Sequence, residues 1–191
     1  MIPSDERNAP PHVAHLRSMG RISFGDRKLC AFARIISRMT DNTQTSKQII
    51  IRNVLPKDLE ECFRVETSGF PPEEAAARAT IRLRIETFPE GFFVAELDSR
   101  IVGMLNSASM DKDDLSDEEL KQLVGHDPQG KNMVVFALAV LPEFQKQGIA
   151  RQLMSRFVEE ARLHKKENVL LMCKRHLIAY YERMGFVHAG L

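Results

Sequence analysis

The sequence predicts an α/β chain in which strands alternate with amphipathic helices. Three observations carry that expectation. A short apolar run, Met133 to Leu141, stops at Pro142 and passes through a turn bearing Gln145, Gly148 and Ala150. The run that follows, from about Ile149, places Leu153, Met154, Phe157 and Val158 at helical spacing. A further apolar run of strand length, Asn168 to Cys173, comes after that helix.

Residues 1 to about 46 differ from the rest. Pro3, Pro10, Pro11, Gly20 and Gly25 interrupt any long element, and basic residues outnumber acidic ones. Leu29 to Met39 reads as one amphipathic helix. The segment fits a disordered leader, a targeting-like presequence, or sequence upstream of a true start at Met39. The folded domain is expected to cover residues 47–191.

From Gln48 the pattern is regular. Gln48 to Val54 predicts a strand, and Pro56-Lys57-Asp58 opens a helix carrying Leu59, Cys62, Phe63 and Val65. Pro71 and Pro72 stop that helix in a stiff loop that begins at Phe70. A second helix is expected over roughly Glu73 to Thr87, ended by Pro89 and Gly91. Phe92 to Glu96 and Ile101 to Ser107 read as strands joined at Asp98-Ser99-Arg100. A polar insertion, Asp111 to Gly130, has an acidic front and one short helix, Ser116 to Val124, with Ser116 as its cap. Arg175 to Met184 predicts a last helix, and Phe186 to Leu191 the start of a strand.

Composition limits what this chain does. At 191 residues it can bury a real core as one domain. With 27 Lys and Arg against 26 Asp and Glu, the formal net charge of +1 argues against a nucleic-acid partner. No apolar run approaches the roughly 20 residues of a membrane span. Cys30, Cys62 and Cys173 stand apart with no Cys/His cluster, which fits a reduced compartment and no bound metal. A cytoplasmic location follows, or a mitochondrial one if the leader acts as a transit peptide.

The central turn admits two readings. The first turn of a helix has unpaired N–H donors and a partial positive charge, so a phosphate can sit there. Gly148 and the small Ala150 would let it approach. The same pattern also suits an ordinary strand-to-helix connection.

Gln145-Lys146-Gln147-Gly148-Ile149-Ala150 resembles the Q/R-x-x-G-x-G/A signature of the GNAT N-acetyltransferase superfamily, and Tyr180-Tyr181-Glu182-Arg183-Met184-Gly185-Phe186 resembles its F-Y-x-x-x-G-F. The segments GFPPEEA, GHDPQG and LMCKRHLIAYYERMGF look like the arylalkylamine (serotonin) N-acetyltransferase-like branch, in its microbial form. This resemblance covers about residues 48 to 191. It implies a GNAT fold, a mixed and mostly antiparallel central sheet flanked by helices, and acetyl-CoA as co-substrate. It also implies direct acetyl transfer to a small primary amine of arylalkylamine or polyamine type.

The resemblance assigns roles residue by residue. Leu138, Ala139 and Val140 would hold the pantetheine arm, with an N–H near Leu138 polarising the acetyl carbonyl. Gln145, Lys146, Gln147, Gly148, Ile149, Ala150 and Arg151 would bind the pyrophosphate. Tyr181 would give a proton to the departing thiolate. For the amine proton the resemblance points to Glu66, and His126 is a second candidate by its place in the loop entering the central strand and the ordinary pKa of an imidazole. Read from the residues themselves, Phe70, Pro71 and Pro72 would form an apolar lid over the amine, with Phe136 and Met133 beneath.

Two departures stand out. Val134 and Phe136 occupy the places of the branch's histidines, which removes that proton route. Related domains continue with a strand that closes the sheet, whereas this chain ends at Leu191, so the closing C-terminal strand is expected to be missing. A protein N-terminal or lysine acetyltransferase, and a catalytically impaired acetyl-CoA-binding protein, remain alternative readings.

Overall fold

A computed structural model describes residues 17–24, 48–113, 115 and 118–189. They form one mixed sheet of seven strands with helices on both faces. In chain order the strands are β1 (Arg17–Ser23), β2 (Ile50–Asn53), β3 (Phe93–Leu97), β4 (Arg100–Met110), β5 (Asn132–Val140), β6 (Asn168–Lys174) and β7 (Val187–His188). The helices are α1 (Leu59–Gly69), α2 (Arg78–Thr87), α3 (Ile149–Leu163) and α4 (Ile178–Glu182). Across the sheet the order is β2-β3-β4-β5-β6-β1-β7. Neighbours run antiparallel except β5 and β6, which are parallel. The mixed, mostly antiparallel sheet read from the sequence is the one observed.

The place beside β6 is filled, and by a segment that the sequence puts in the leader. β1 pairs with β6 along its whole length, from Arg17 opposite Lys174 to Ser23 opposite Asn168. On its other edge β1 carries β7. Ile22 is buried, and Gly20 lies under Leu171 and Phe186. Seven residues of the expected extension are therefore part of the sheet. The helix expected over Leu29 to Met39 lies outside the described residues.

Helices α1 and α3 lie on opposite faces of the sheet. A Cβ on Gly69, at the end of α1, would stand 2.9 Å from the Cβ of Ala139. A Cβ on Gly103 would meet Val140 and, from α3, Ile149. Side chains of successive strand residues point to opposite faces, so Ala139 and Val140 mark the two sides. On the α3 side Phe93 meets Phe157 edge-on, with ring centroids 6.3 Å apart. A second apolar cluster joins Leu115 and Leu120 of the inserted segment to Ala108, Met110, Val134 and Leu170.

Local geometry shifts some boundaries. Residues 71–75 form turns in which the Pro71 carbonyl accepts the N–H groups of Glu74 and Ala75, so α2 begins at Arg78 instead of Glu73. The inserted segment makes a 3-10 turn over Glu118–Gln122, and Ser116, its expected cap, is outside the described residues.

The start of the domain is held by charge. The Arg52 guanidinium donates to both oxygens of Asp58 at 2.6 and 3.1 Å and to Glu96 at 2.7 Å. Burial alone would raise the Asp58 carboxyl, but Arg52 and the N–H of Leu55 outweigh it and hold the group below the usual range. A carboxyl depressed in the folded state stabilises in full above its unfolded pKa of about 4, and that stability is lost as the pH falls through the folded value. Arg52→Met is expected to cost about 3 kcal/mol at pH 7, because it strands Asp58. Thermal denaturation against pH should show the deficit shrinking as the pH falls below about 4.

Candidate active site

The site begins where two parallel strands part. β5 and β6 pair from Asn132 opposite Asn168 to Val135 opposite Leu171, and no further. At that point β5 carries a bulge: Asn106 of β4 faces Ala137 and Ser107 faces Val135, which leaves Phe136 as the extra residue. Beyond the bulge β5 stays with β4 while β6 diverges. Leu141 donates its N–H to Val102 of β4. By alternation the N–H groups of Val140 and Leu138 point the other way, into the gap.

The gap is a cavity of about 340 Å³. Val134, Phe136 and Leu138 line it from β5, Met172 and Cys173 from β6, and Phe70 and Pro71 from the loop after α1. Leu115, Leu120 and Lys121 come from the inserted segment, and Tyr181 from α4. Of the lid and floor residues read from the sequence, Phe70, Pro71 and Phe136 meet at this cavity, whereas Pro72 and the buried Met133 do not line it. Arg84 of α2 supports that floor from behind. It is buried, its guanidinium carbon lies 4.9 Å from the centre of the Phe136 ring, and it donates to Asn106 at 2.9 Å and to the Lys121 carbonyl at 2.8 Å.

The turn into α3 has the expected form. Gly148, at the helix N-cap, has φ of 80°, a left-handed conformation that favours glycine, and Lys146 has φ of 62°. A Cβ placed on Gly148 would meet nothing within 4 Å, so the space in front of the helix is open. The Gln145 side chain donates to the Val140 carbonyl at 3.1 Å, tying the turn to the end of β5. Ile149, Ala150 and Arg151 fall in the first turn of α3, where N–H groups have no partner within the helix. This turn and the outward N–H groups of Leu138 and Val140 fit a pyrophosphate and its pantetheine arm. Gly148→Ala is expected to weaken acetyl-CoA binding by about tenfold or more, because the methyl both strains the turn and enters the open space. Equilibrium titration of the purified variant checks it.

The structure places the three proton-handling candidates differently. Tyr181 lines the cavity beside Cys173, with Tyr180 and Phe186 edge-on at 5.3 and 5.8 Å. Its phenol is raised by burial first, and further by Cys173 and Tyr180. Glu66 does not line the cavity. It is buried, with Oε1 accepting the Ala76 N–H at 2.8 Å and Oε2 without a partner, and burial raises its carboxyl. That bond shapes the loop leading to α2. His126 is also outside the cavity: its Nδ1 accepts the Ser109 N–H at 3.1 Å and its ring lies 4.7 Å from that of Phe88. Burial lowers its pKa.

Sequence reasoning missed the charged groups that do face the cavity. Glu74 and Lys174 line it and pair at 2.8 Å, linking the lid loop to the end of β6, and Lys121 and His176 line it too. These residues sit in turns and at strand ends, where periodicity carries no signal. Among the described residues no group of three or more His, Cys, Asp or Glu could hold a metal ion. No helix among them is long and apolar enough to cross a membrane.

A strand gap followed along β5 by a glycine turn at a helix N-terminus offers N–H donors to an extended ligand bearing phosphates. Residues 55–186 match the model of the acetyltransferase (GNAT) family, and the chain belongs to that family. It is 29% identical over 125 residues to the probable hydrolase YhcX of Bacillus subtilis, covering 62% of this chain and 24% of that protein. It is 28% identical over 122 residues to the uncharacterized N-acetyltransferase YkwB of the same organism, covering 58% of this chain and 54% of that one. The chain thus spans about a quarter and about half of these curated relatives. Among solved structures, a GNAT family acetyltransferase from Brucella melitensis in complex with acetyl-CoA matches with a TM-score of 0.52 and 18% identity, over 76% of this chain and 91% of that one.

Proposed function

We propose that this chain transfers the acetyl group of acetyl-CoA directly to a small primary amine with an apolar body, of the arylalkylamine kind. The observation that carries the reading is the gap between β5 and β6. It has backbone donors on one wall, a phenol on another and an apolar floor, and β5, which lines it, runs on to the glycine turn.

Family membership supports acetyl-CoA as co-substrate. The first turn of α3 would take its pyrophosphate, and the N–H groups of Val140 and Leu138 its pantetheine arm. The Leu138 donor would polarise the thioester carbonyl. The neutral amine attacks that carbon, so a C–N bond forms and the C–S bond breaks. Tyr181 gives its proton to the departing sulfur, and the amine loses one proton to Glu74 or to water through it. Phe70, Pro71 and Phe136 hold the apolar body of the amine. A partly covered cavity of this size also suits a small acceptor better than a peptide.

The test is free-thiol release from acetyl-CoA with aryl, alkyl and polyamines and with peptides, beside a titration of acetyl-CoA binding. Amine-dependent release is expected with the aryl and alkyl series. Release only with peptides would overturn the small-amine reading, and binding without release would make the protein an impaired acetyl-CoA binder.

A further inference from the structure

Three parts of the acceptor half of the cavity meet at one buried side chain. The Arg84 guanidinium donates to the Asn106 amide oxygen at 2.9 Å and to the Lys121 carbonyl at 2.8 Å, and its carbon lies 4.9 Å from the centre of the Phe136 ring. Each partner has a place in the site. Asn106 is the last residue of β4 before the register shift that leaves Phe136 as the extra residue of β5. Lys121 belongs to the 3-10 turn Glu118–Gln122, which brings Leu120 to the cavity. Leu120 packs into the apolar cluster that Phe136 also touches. From the same helix, Thr80 donates its hydroxyl to Gln122 at 3.2 Å, a second tie between α2 and that turn. A buried charge is a costly way to hold such parts together, and an apolar residue of similar volume often does as well. Burial lowers the pKa of Arg84 to about 10, and the nearby Glu66 carboxylate works against that shift, so the group is charged at neutral pH. An apolar residue cannot supply the planar fork, whose two donors span two acceptors while its flat face meets a ring.

Building on the small-amine reading, we propose that Arg84 is the positioning residue that sets the upper size of the acceptor's apolar body. It bonds the bulge in the sheet and the inserted turn at once, so the Phe136 floor and the Leu120 wall keep a fixed separation. Arg84 does not itself line the cavity and acts only through those two elements. An amine that fits the separation buries its body without moving either one. A larger amine has to push the floor or the turn aside, which breaks a buried hydrogen bond from a charged donor. A loss of that kind corresponds to about tenfold or more in kcat/KM.

The test uses the full chain and acceptors graded in size: straight-chain primary amines from propyl to octyl, and phenethylamine beside naphthylethylamine. The readout is kcat/KM for thiol release, with Tm and the KM for acetyl-CoA measured on the same proteins. The parent is expected to show a size limit, with kcat/KM falling about tenfold or more just beyond the largest acceptor that fits. Arg84→Lys keeps a charge near Glu66 but lacks the fork that spans both acceptors. It should bring that step near one and leave the KM for acetyl-CoA unchanged. A double variant, Arg84→Met with Glu66→Gln, removes both buried charges, keeps an acceptor for the Ala76 N–H and should relax the limit in the same way. It carries the same test if Arg84→Lys does not fold. A merely structural Arg84 would lower Tm and slow all amines alike, leaving the step intact. A parent without a size limit, or variants that keep the parental step, overturn the inference and leave the small-amine reading standing. No release by the parent with any amine, while acetyl-CoA binds, overturns both.

Discussion

Tyr181→Phe is expected to lower kcat by about 100-fold or more, with acetyl-CoA affinity little changed. The phenol faces the cavity, and the deletion removes one oxygen from a ring that keeps its packing against Tyr180 and Phe186. Burial raises the phenol above its ordinary value, so the proton stays on through the neutral range. A weak acid is still suitable here, because burial disfavours the charged form of a thiolate just as it does that of a phenol. Pre-steady-state thiol release separates this step from binding. A variant with parental kcat would remove Tyr181 from the proton path, leaving water or Cys173 to supply the thiolate.

The second large effect concerns stability, and it falls in a segment that reads as a leader. Ile22→Ala is expected to cost about 2–4 kcal/mol, lowering Tm by about 5–15 °C. Ile22 is 3% exposed, on a strand paired along its whole length with β6 and at Gly20 and Arg21 with β7. Beyond the strand itself, Phe24 donates its N–H to the Glu167 carbonyl at 3.1 Å, and Ala189 donates to the Met19 carbonyl at 2.9 Å. Arg162 of α3 lies over the Phe24 ring at 5.2 Å. Removing residues 1–24 should do more than the point variant. It uncovers the whole edge of β6 and takes away the only strand that β7 pairs with among the described residues. The expected result is an aggregating protein, or one whose Tm falls further than that of Ile22→Ala, read by thermal denaturation and light scattering. A truncated protein with the parental Tm would show that β1 adds nothing to the sheet.

The strands and helices from β2 to β6 were legible because their signals are local. Apolar periodicity marks α3, and continuous apolar runs mark β5 and β6, which are covered on both faces. The start of α2 was not legible. Glu73 to Ala77 has helical composition, yet the Pro71 carbonyl and the Glu66 carboxylate take the N–H groups that would have begun the helix. β1 was also hidden. Its seven residues, RSMGRIS, hold two large apolar side chains, and a strand so polar is stable only between two partners.

The sequence by itself determined the family and the glycine turn and singled out Tyr181, because each belongs to a short motif of adjacent residues. Its left-handed Gly148 is a property of one position. The tertiary structure alone decided what surrounds the amine. Phe136 faces the cavity because a bulge shifts it, and Glu66 faces the protein because a loop N–H holds it. Glu74, Lys121 and Lys174 come from three segments about 50 residues apart and meet only where the lid, the insertion and β6 converge. Periodicity reports which face of an element is apolar, but a site assembled from the ends of several elements has no period to report.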